Sequence, residues 1–303
     1  MAILKLPATC LLLSLAVLLK ADVNVLIIGS DTPGDQTYAT RLSGSPGPTP
    51  AFLYDDVADH LRQILEGGGH GTVTVTTRNR VAGSSSASSF TTQANNLATW
   101  FYWPYGEWVE VDPVQGRYDT VTGTNVSRWA ELRGENGTAW DYVVLIGDPF
   151  TIEAIPGYYT FGVAKVAEEV ARGTGQAVLL MPWPAPGSSS TLDHYREVVY
   201  RTGRTAGVPV APAGLAWQAA GALTGGTHPS ADGAYLAAAT LYSRLFGESA
   251  STSAYNPQPA LADTAHATVV ANQGTPQYSG TFDFNNPFTM LGDKRRHHFN
   301  SNR

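Results

Sequence analysis

Aliphatic and β-branched runs, separated by amphipathic stretches, organise the first 250 residues of the chain. Val23-Asn24-Val25-Leu26-Ile27-Ile28 is almost continuously apolar and stops at Gly29, the pattern of a strand covered on both faces. Over 51–66, Leu53, Val57, Leu61, Ile64 and Leu65 recur at helical spacing until Gly67-Gly68-Gly69 breaks the period. Thr72-Val73-Thr74-Val75-Thr76 alternates every second residue and predicts a strand. Tyr142-Val143-Val144-Leu145-Ile146 repeats the opening pattern ahead of Gly147. The spacing then predicts a helix over 161–172, a strand over 177–181, a helix over 192–201 after a Ser-rich start and a short strand over 208–210. A last helix, over 231–246, carries Tyr235, Leu236, Ala239, Leu241, Leu245 and Phe246 on its apolar face.

Buried strands alternating with helices make βαβ units, hence an α/β fold with a mostly parallel sheet and helices on both faces. Ligands of such sheets gather beyond the carboxyl ends of the strands. That directs attention to Gly29-Ser30-Asp31, to Gly83 and its neighbours, to Gly147-Asp148-Pro149 and to Pro182-Trp183-Pro184. Beyond 250 the chain turns polar and the period fades. Residues 251–303 are expected to form a C-terminal extension with little regular structure, its basic end Lys294-Arg295-Arg296-His297-His298 a solvated tail.

The first 21 residues fall outside this scheme. Lys5 precedes the apolar run from Cys10 to Leu19, and Lys20-Ala21 follows, the layout of a cleavable signal peptide. The run is shorter than the roughly 20 residues of a membrane span, so a stable membrane segment is not expected once it is removed. Cleavage takes away Lys5, Lys20 and the single cysteine, and deepens the formal charge from −6 to −8. The mature domain, residues 22–250, then has no thiol or disulfide, and a secreted, periplasmic or extracellular location is expected. Asn125 and Asn136 open glycosylation sequons, which matter only in a eukaryotic source.

Composition narrows the function classes. An acidic balance argues against a nucleic-acid partner, which requires a basic stripe. Charged residues make up only 15% while hydrophobic residues reach 43%, so the chain has the material for a core and is not a disordered solvator. There is no phosphate-cradling Gly-x-x-x-x-Gly-Lys-Ser/Thr and no Gly-x-Ser-x-Gly elbow, and Gly67-Gly68-Gly69-His70-Gly71 follows a helix instead of a strand. The seven histidines show no zinc-ligand spacing. No metal or cofactor is expected.

One segment stands apart: Thr227-His228-Pro229-Ser230-Ala231-Asp232-Gly233-Ala234-Tyr235-Leu236-Ala237-Ala238 puts a histidine just ahead of a Pro-Ser helix start. Here the chain resembles the SGNH (GDSL-like) hydrolases, whose last block is Asp-x-x-His followed by such a helix. Val210-Ala211-Pro212-Ala213-Gly214-Leu215-Ala216-Trp217-Gln218, Leu179-Leu180-Met181-Pro182-Trp183-Pro184 and Trp140-Asp141-Tyr142-Val143-Val144-Leu145 extend the resemblance over about residues 22–248. It implies a three-layer, flavodoxin-like doubly wound parallel sheet and hydrolysis of an ester, such as an acyl group on a carbohydrate.

Carried over residue by residue, the resemblance keeps His228 as the base and Gly83 as an oxyanion donor. The other blocks depart. The nucleophile position falls on Asp31, the orienting aspartate on Gly225 and the oxyanion asparagine on Pro149. A one-residue slip makes Ser30 the nucleophile beside Asp31. Two other readings stay open: Asp31, Asp148 and His228 as an acid–base or metal cluster, and a non-catalytic member that binds glycan or another polymer in the cleft. Loss of a serine nucleophile costs about 10⁶ in rate and loss of one oxyanion donor about 10²–10³, so the departures bear directly on activity. Six aromatics among Trp100 to Trp108 suit either sugar stacking or a loop packed over the core, and Trp183 is expected to line the cleft.

Overall fold

A computed structural model of the chain describes residues 20–29, 53–79, 97, 108–112, 117–121, 128–135, 137–147, 149–154, 156–184, 190–222 and 230–273. Its elements are β1 (Val23–Gly29), α1 (Leu53–Gly67), β2 (Val73–Asn79), β3 (Trp108–Asp112), β4 (Arg117–Val121), α2 (Arg128–Leu132) and β5 (Tyr142–Ile146). There follow α3 (Pro149–Ala154), α4 (Pro156–Ala171), β6 (Gln176–Leu180), α5 (Leu192–Ala206), β7 (Val210–Ala211), α6 (Ala213–Ala219), α7 (Ala231–Phe246), a 3₁₀ turn (Ala250–Thr252) and α8 (Pro259–Ala271).

The sheet runs in the order β4-β3-β2-β1-β5-β6-β7. The five strands from β2 to β7 in that order are parallel, the flavodoxin-like arrangement, and β1 lies between β2 and β5. The antiparallel hairpin of β3 and β4 extends the β2 edge. Its residues alternate over only five positions each, too short a signal to separate from loop in the sequence.

Alternation along the buried strands sends side chains to two cores. Val25 and Ile27 of β1, Val144 and Ile146 of β5, and Val178 and Leu180 of β6 face α1, α6, α7 and α8. Leu26 and Ile28, Val143 and Leu145, and Leu179 face α4 and α5 on the other side. Each fully buried aliphatic side chain contributes about 1.5–3 kcal/mol, so these three central strands fix the fold. Helix α4 starts at Pro156, earlier than the periodicity predicts, because a proline in the first helical turn has no N–H to leave unpaired.

Residues 274–303 lie outside the described residues, and within 251–273 the expectation of little regular structure is corrected by α8. Ala262, Ala265 and Val269 press it onto α7, so the packed helices continue beyond residue 250. The reason is small residues: alanines stand at buried and exposed positions alike, and no apolar stripe shows. Helix α7 is buried almost all round for the same reason, with Ala234, Ala237, Ala238 and Ala239 allowing close approach between the sheet and α8. No helix among the described residues is long and apolar enough to cross a membrane.

Candidate active site

The parallel strands finish in register. Gly29 pairs with Asn79 on one side and Ile146 on the other, Ile146 pairs with Leu180, and Leu180 with Ala211. Neighbouring strands are about 4.8 Å apart, so the chain leaves β1, β2, β5, β6 and β7 along one edge. Helix α7 runs antiparallel to these strands. Its C-terminal Phe246 meets the Tyr142 ring edge to face at the start of β5, with centroids 5.6 Å apart, and the tilted His70 ring ahead of β2 at 4.6 Å. Its first turn therefore lies at the carboxyl edge. There Ser230 is the N-cap, accepting the amide of Gly233 at 3.2 Å, as the Pro-Ser start predicts.

Of the expected site residues, Trp183 is described. It follows β6 and lies parallel to Trp217 of α6, the ring planes 3° apart and the centroids 5.7 Å apart. Both indoles are half-buried against the core shared with α7. Gly214 makes this possible: its amide donates to the Met181 carbonyl at 2.9 Å, and a Cβ there would stand 2.5 Å from the Pro182 carbonyl oxygen. Gly147 is a second enforced close approach, since its Cβ would meet the Tyr159 ring at 2.6 Å and Ile152 at 2.9 Å. Pro149 opens α3, where a prolyl ring carries neither a backbone N–H nor a side-chain amide. Ser30, Asp31, Gly83, Asp148, Gly225 and His228 lie outside the described residues, as do the aromatics from Trp100 to Glu107.

The structure adds a group at this edge that the sequence did not single out. Between α3 and the start of α5, His194 Nε2 meets the Ile152 carbonyl at 3.1 Å and the Tyr195 hydroxyl donates to Glu153 at 2.7 Å. A carbonyl only accepts, so Nε2 carries a proton in this contact. Thr191 caps α5 by accepting the His194 amide at 3.2 Å. The partners in each pair are 42 apart in sequence, and of this group the sequence pointed only to a Ser-rich start ahead of residue 192. Beneath them the Tyr159 hydroxyl is buried without a hydrogen-bond partner, and burial raises its pKa well above the usual tyrosine value.

A second serine–histidine contact lies elsewhere. Ser243 Oγ is 2.8 Å from His266 Nδ1, and Asp263 stands three residues before the histidine. Ser243, however, is 1% exposed in the last turns of α7, away from the carboxyl edge, and Asp263 accepts from Ser249 at 3.0 Å. This trio joins α7 to α8 and has no room for a substrate. Among the described residues no group of three or more His, Cys, Asp or Glu side chains is placed to hold a metal.

No family model and no curated protein matches the chain. Solved structures similar in fold include a DUF4886 family protein from Bacteroides uniformis, at 16% identity over 85% of this chain and 98% of its own, with a TM-score of 0.52. A candidate SGNH hydrolase from Slackia heliotrinireducens is 19% identical over 74% of this chain and 99% of its own, with a TM-score of 0.46. TesA is 13% identical over 74% and 98%, with a TM-score of 0.44. At these identities the first likeness shows a shared α/β fold, and the other two add no weight to it.

Proposed function

We propose that the protein is an SGNH-type ester hydrolase working at the carboxyl edge of its sheet, on a small-molecule ester and in particular an acyl group carried by a carbohydrate. The observation that supports it is the register of that edge. Gly29 and Ile146 end side by side, and Ser230 starts α7 at the same edge. Residue 30 follows directly from Gly29 and residue 228 precedes Ser230 by two.

In the proposed reaction Ser30 Oγ attacks the ester carbonyl while His228 takes its proton. The Gly83 amide donates to the tetrahedral oxyanion. Collapse breaks the carbonyl–alkoxy bond, and the departing alcohol takes the proton from His228. Water then attacks the acyl-serine by the same route, releasing the acid and restoring Ser30. Asp31 and Asp148 are the carboxylates assigned to steady the imidazolium, since Gly225 stands at the orienting position. The Trp183–Trp217 pair forms one wall, its indole faces suited to a sugar ring.

One observation favours a second reading, a non-catalytic protein that binds glycan in the same cleft: the oxyanion asparagine position is taken by a helix-opening proline. Turnover of p-nitrophenyl acetate separates the two. Hydrolysis by the wild type that falls by about 10³ or more in Ser30→Ala and in His228→Ala is the expected result. Equal rates in all three proteins overturn the serine mechanism and leave the binding reading.

We infer further that residues 1–21 are removed and that the protein acts outside the cytoplasm. In the uncleaved chain Lys20 pairs with Glu248 at 2.7 Å, a contact that removal would end. N-terminal sequencing of exported protein should read from Asp22; a sequence starting at Met1 refutes the assignment.

A further inference from the structure

Away from the carboxyl edge, a cavity of about 340 Å³ opens beside β7, the last strand of the sheet. It lies where the chain passes from α5 into β7 and where α7 and α8 end, so it belongs to the amino-terminal side of the sheet. Its size is that of a small-molecule site. Gly203, Gly207, Val208, Pro209 and Val210 give it an apolar floor; Arg204, Arg244, Tyr200 and Asn272 give it polar groups. None of the residues lining it is acidic.

The ordinary role of arginines in the last turn of a helix is to offset the carbonyl end of its dipole. Here one carbonyl at each helix end is already served. The Gly203 carbonyl accepts Val208 N–H at 2.7 Å, the Ser243 carbonyl accepts Gly247 N–H at 2.9 Å, and the Thr268 carbonyl accepts both Asn272 N–H and Asn272 Nδ2, at 3.1 and 2.8 Å. Among the described residues no hydrogen bond joins the Arg244 side chain to these carbonyls. Arg244 is also unlike Arg62, Arg133, Arg172 and Arg201, each of which pairs with a carboxylate. No ion pair among the described residues includes Arg244, in a chain where acids outnumber bases 25 to 19.

Tyr200 adds an independent sign. Its side chain is 3% exposed and lines the cavity, and its hydroxyl has no hydrogen-bond partner. A buried donor left unpaired costs about 1–3 kcal/mol. Burial pushes its pKa up to about 12 against the opposing pull of Arg196 and Arg244, so it remains a donor at neutral pH. Guanidinium, phenol and carboxamide together make an excess of donors around a space without an acceptor charge.

We propose that this cavity binds a small organic oxyanion, its phosphate or carboxylate head on Arg244 and Arg204 and its carbon body against Val208, Pro209 and the Tyr200 ring. A planar guanidinium matches either head by paired hydrogen bonds. The site is independent of ester hydrolysis.

Calorimetric titration of the full chain with phenyl phosphate, benzoate and inorganic phosphate, with chloride at equal ionic strength as control, tests it. Saturable binding of phenyl phosphate or benzoate, stronger than that of inorganic phosphate, is expected, because only the first two carry a body for the apolar floor. Stronger binding of phenyl phosphate assigns the head as phosphate, and stronger binding of benzoate as carboxylate. Arg244→Gln should weaken the preferred probe by about tenfold or more. Gln273→Glu, which brings a negative charge to the lining without removing a hydrogen bond of the fold, should do the same with unaltered circular dichroism. The proposal fails if no probe saturates, if chloride competes equally, or if both variants bind as the wild type does.

Discussion

At the amino-terminal edge of the sheet polar side chains close the backbone, whereas at the carboxyl edge the chain runs out into Gly29 and Gly147 and turns through Pro182. On the amino side Asp22 Oδ1 accepts Thr72 N–H at 2.6 Å, Asp141 Oδ2 accepts Asn24 N–H at 2.8 Å, and Asn24 Nδ2 donates to the Ala139 carbonyl at 3.1 Å. Lys20, Glu248 and Tyr242 are linked beside them, at 2.7 and 3.0 Å from Glu248. On the carboxyl side the strands give way to Gly29, Gly147 and Met181-Pro182-Trp183, with Gly214 under the Pro182 carbonyl. The first edge spends its polar side chains on the fold. At the second, β1 and β5 run out into Gly29 and Gly147, beyond which the proposed site residues follow in sequence. That division is the physical content of the rule that α/β sheets bind at their carboxyl ends.

The contrast breaks most sharply if activity does not follow it. Ser30→Ala is expected to remove about 10³-fold or more of esterase turnover while leaving the urea midpoint within error. Asp141→Ala should do the reverse, with turnover retained and stability lower by about 1 kcal/mol, the worth of a hydrogen bond to a charged group at an exposed site. Activity lost in Asp141→Ala at unchanged substrate affinity and stability would erase the distinction.

Next in size is Gly214→Ala. The added Cβ meets a carbonyl oxygen at 2.5 Å, so α6 must move, at about 1–3 kcal/mol, and the Trp183–Trp217 stack must move with it. Urea unfolding reads the first effect and the tryptophan emission spectrum the second. An unchanged spectrum would show that the stack does not depend on this contact.

Smaller still is the pH response of the amino edge. Its hydrogen bond from Lys20 holds the Glu248 carboxyl below the usual carboxylate range. The stabilisation is therefore present above the unfolded carboxylate pKa and is lost as pH falls through the folded value. Lys20 and Glu248 are 34% and 46% exposed, so water screens the pair to under about 1 kcal/mol. In the uncleaved chain Lys20→Ala should flatten this part of the acid-stability profile, and an unaltered profile would remove the pair from the account.

The smallest effect belongs to Tyr159. Its hydroxyl is buried beside Gly147 without a partner, so Tyr159→Phe should be neutral or stabilise by up to about 1 kcal/mol in urea unfolding. Destabilisation would reveal a bond that the hydroxyl makes.

Sequence and structure agree where side chains are large and periodic. The runs at Val23 and Tyr142, the stripe from Leu53 to Leu65 and the Ser230 start of α7 could be read directly, because each states its burial in its own residues. Helix α8 could not, since Ala262 and Ala265 look the same as the exposed Ala260 and Ala271. Within the candidate site Trp183 was legible from its place after a strand. His194, Glu153 and Tyr195 were not, because their contacts join α3 to α5 across 42 residues and no local pattern marks them. Nothing in the linear pattern marks Arg204 or Arg244, and only their common cavity sets them apart.

By itself the sequence determined the α/β class and the edge at which chemistry would be sought. Apolar continuity and period are properties of single segments, and a glycine after a buried strand marks its end wherever the strand is placed. The tertiary structure decided the strand order, the covering of α7 by α8, the pairing of Trp183 with Trp217 and the arginine-lined cavity beside β7. Each of these depends on which surfaces meet, and a linear pattern does not carry that.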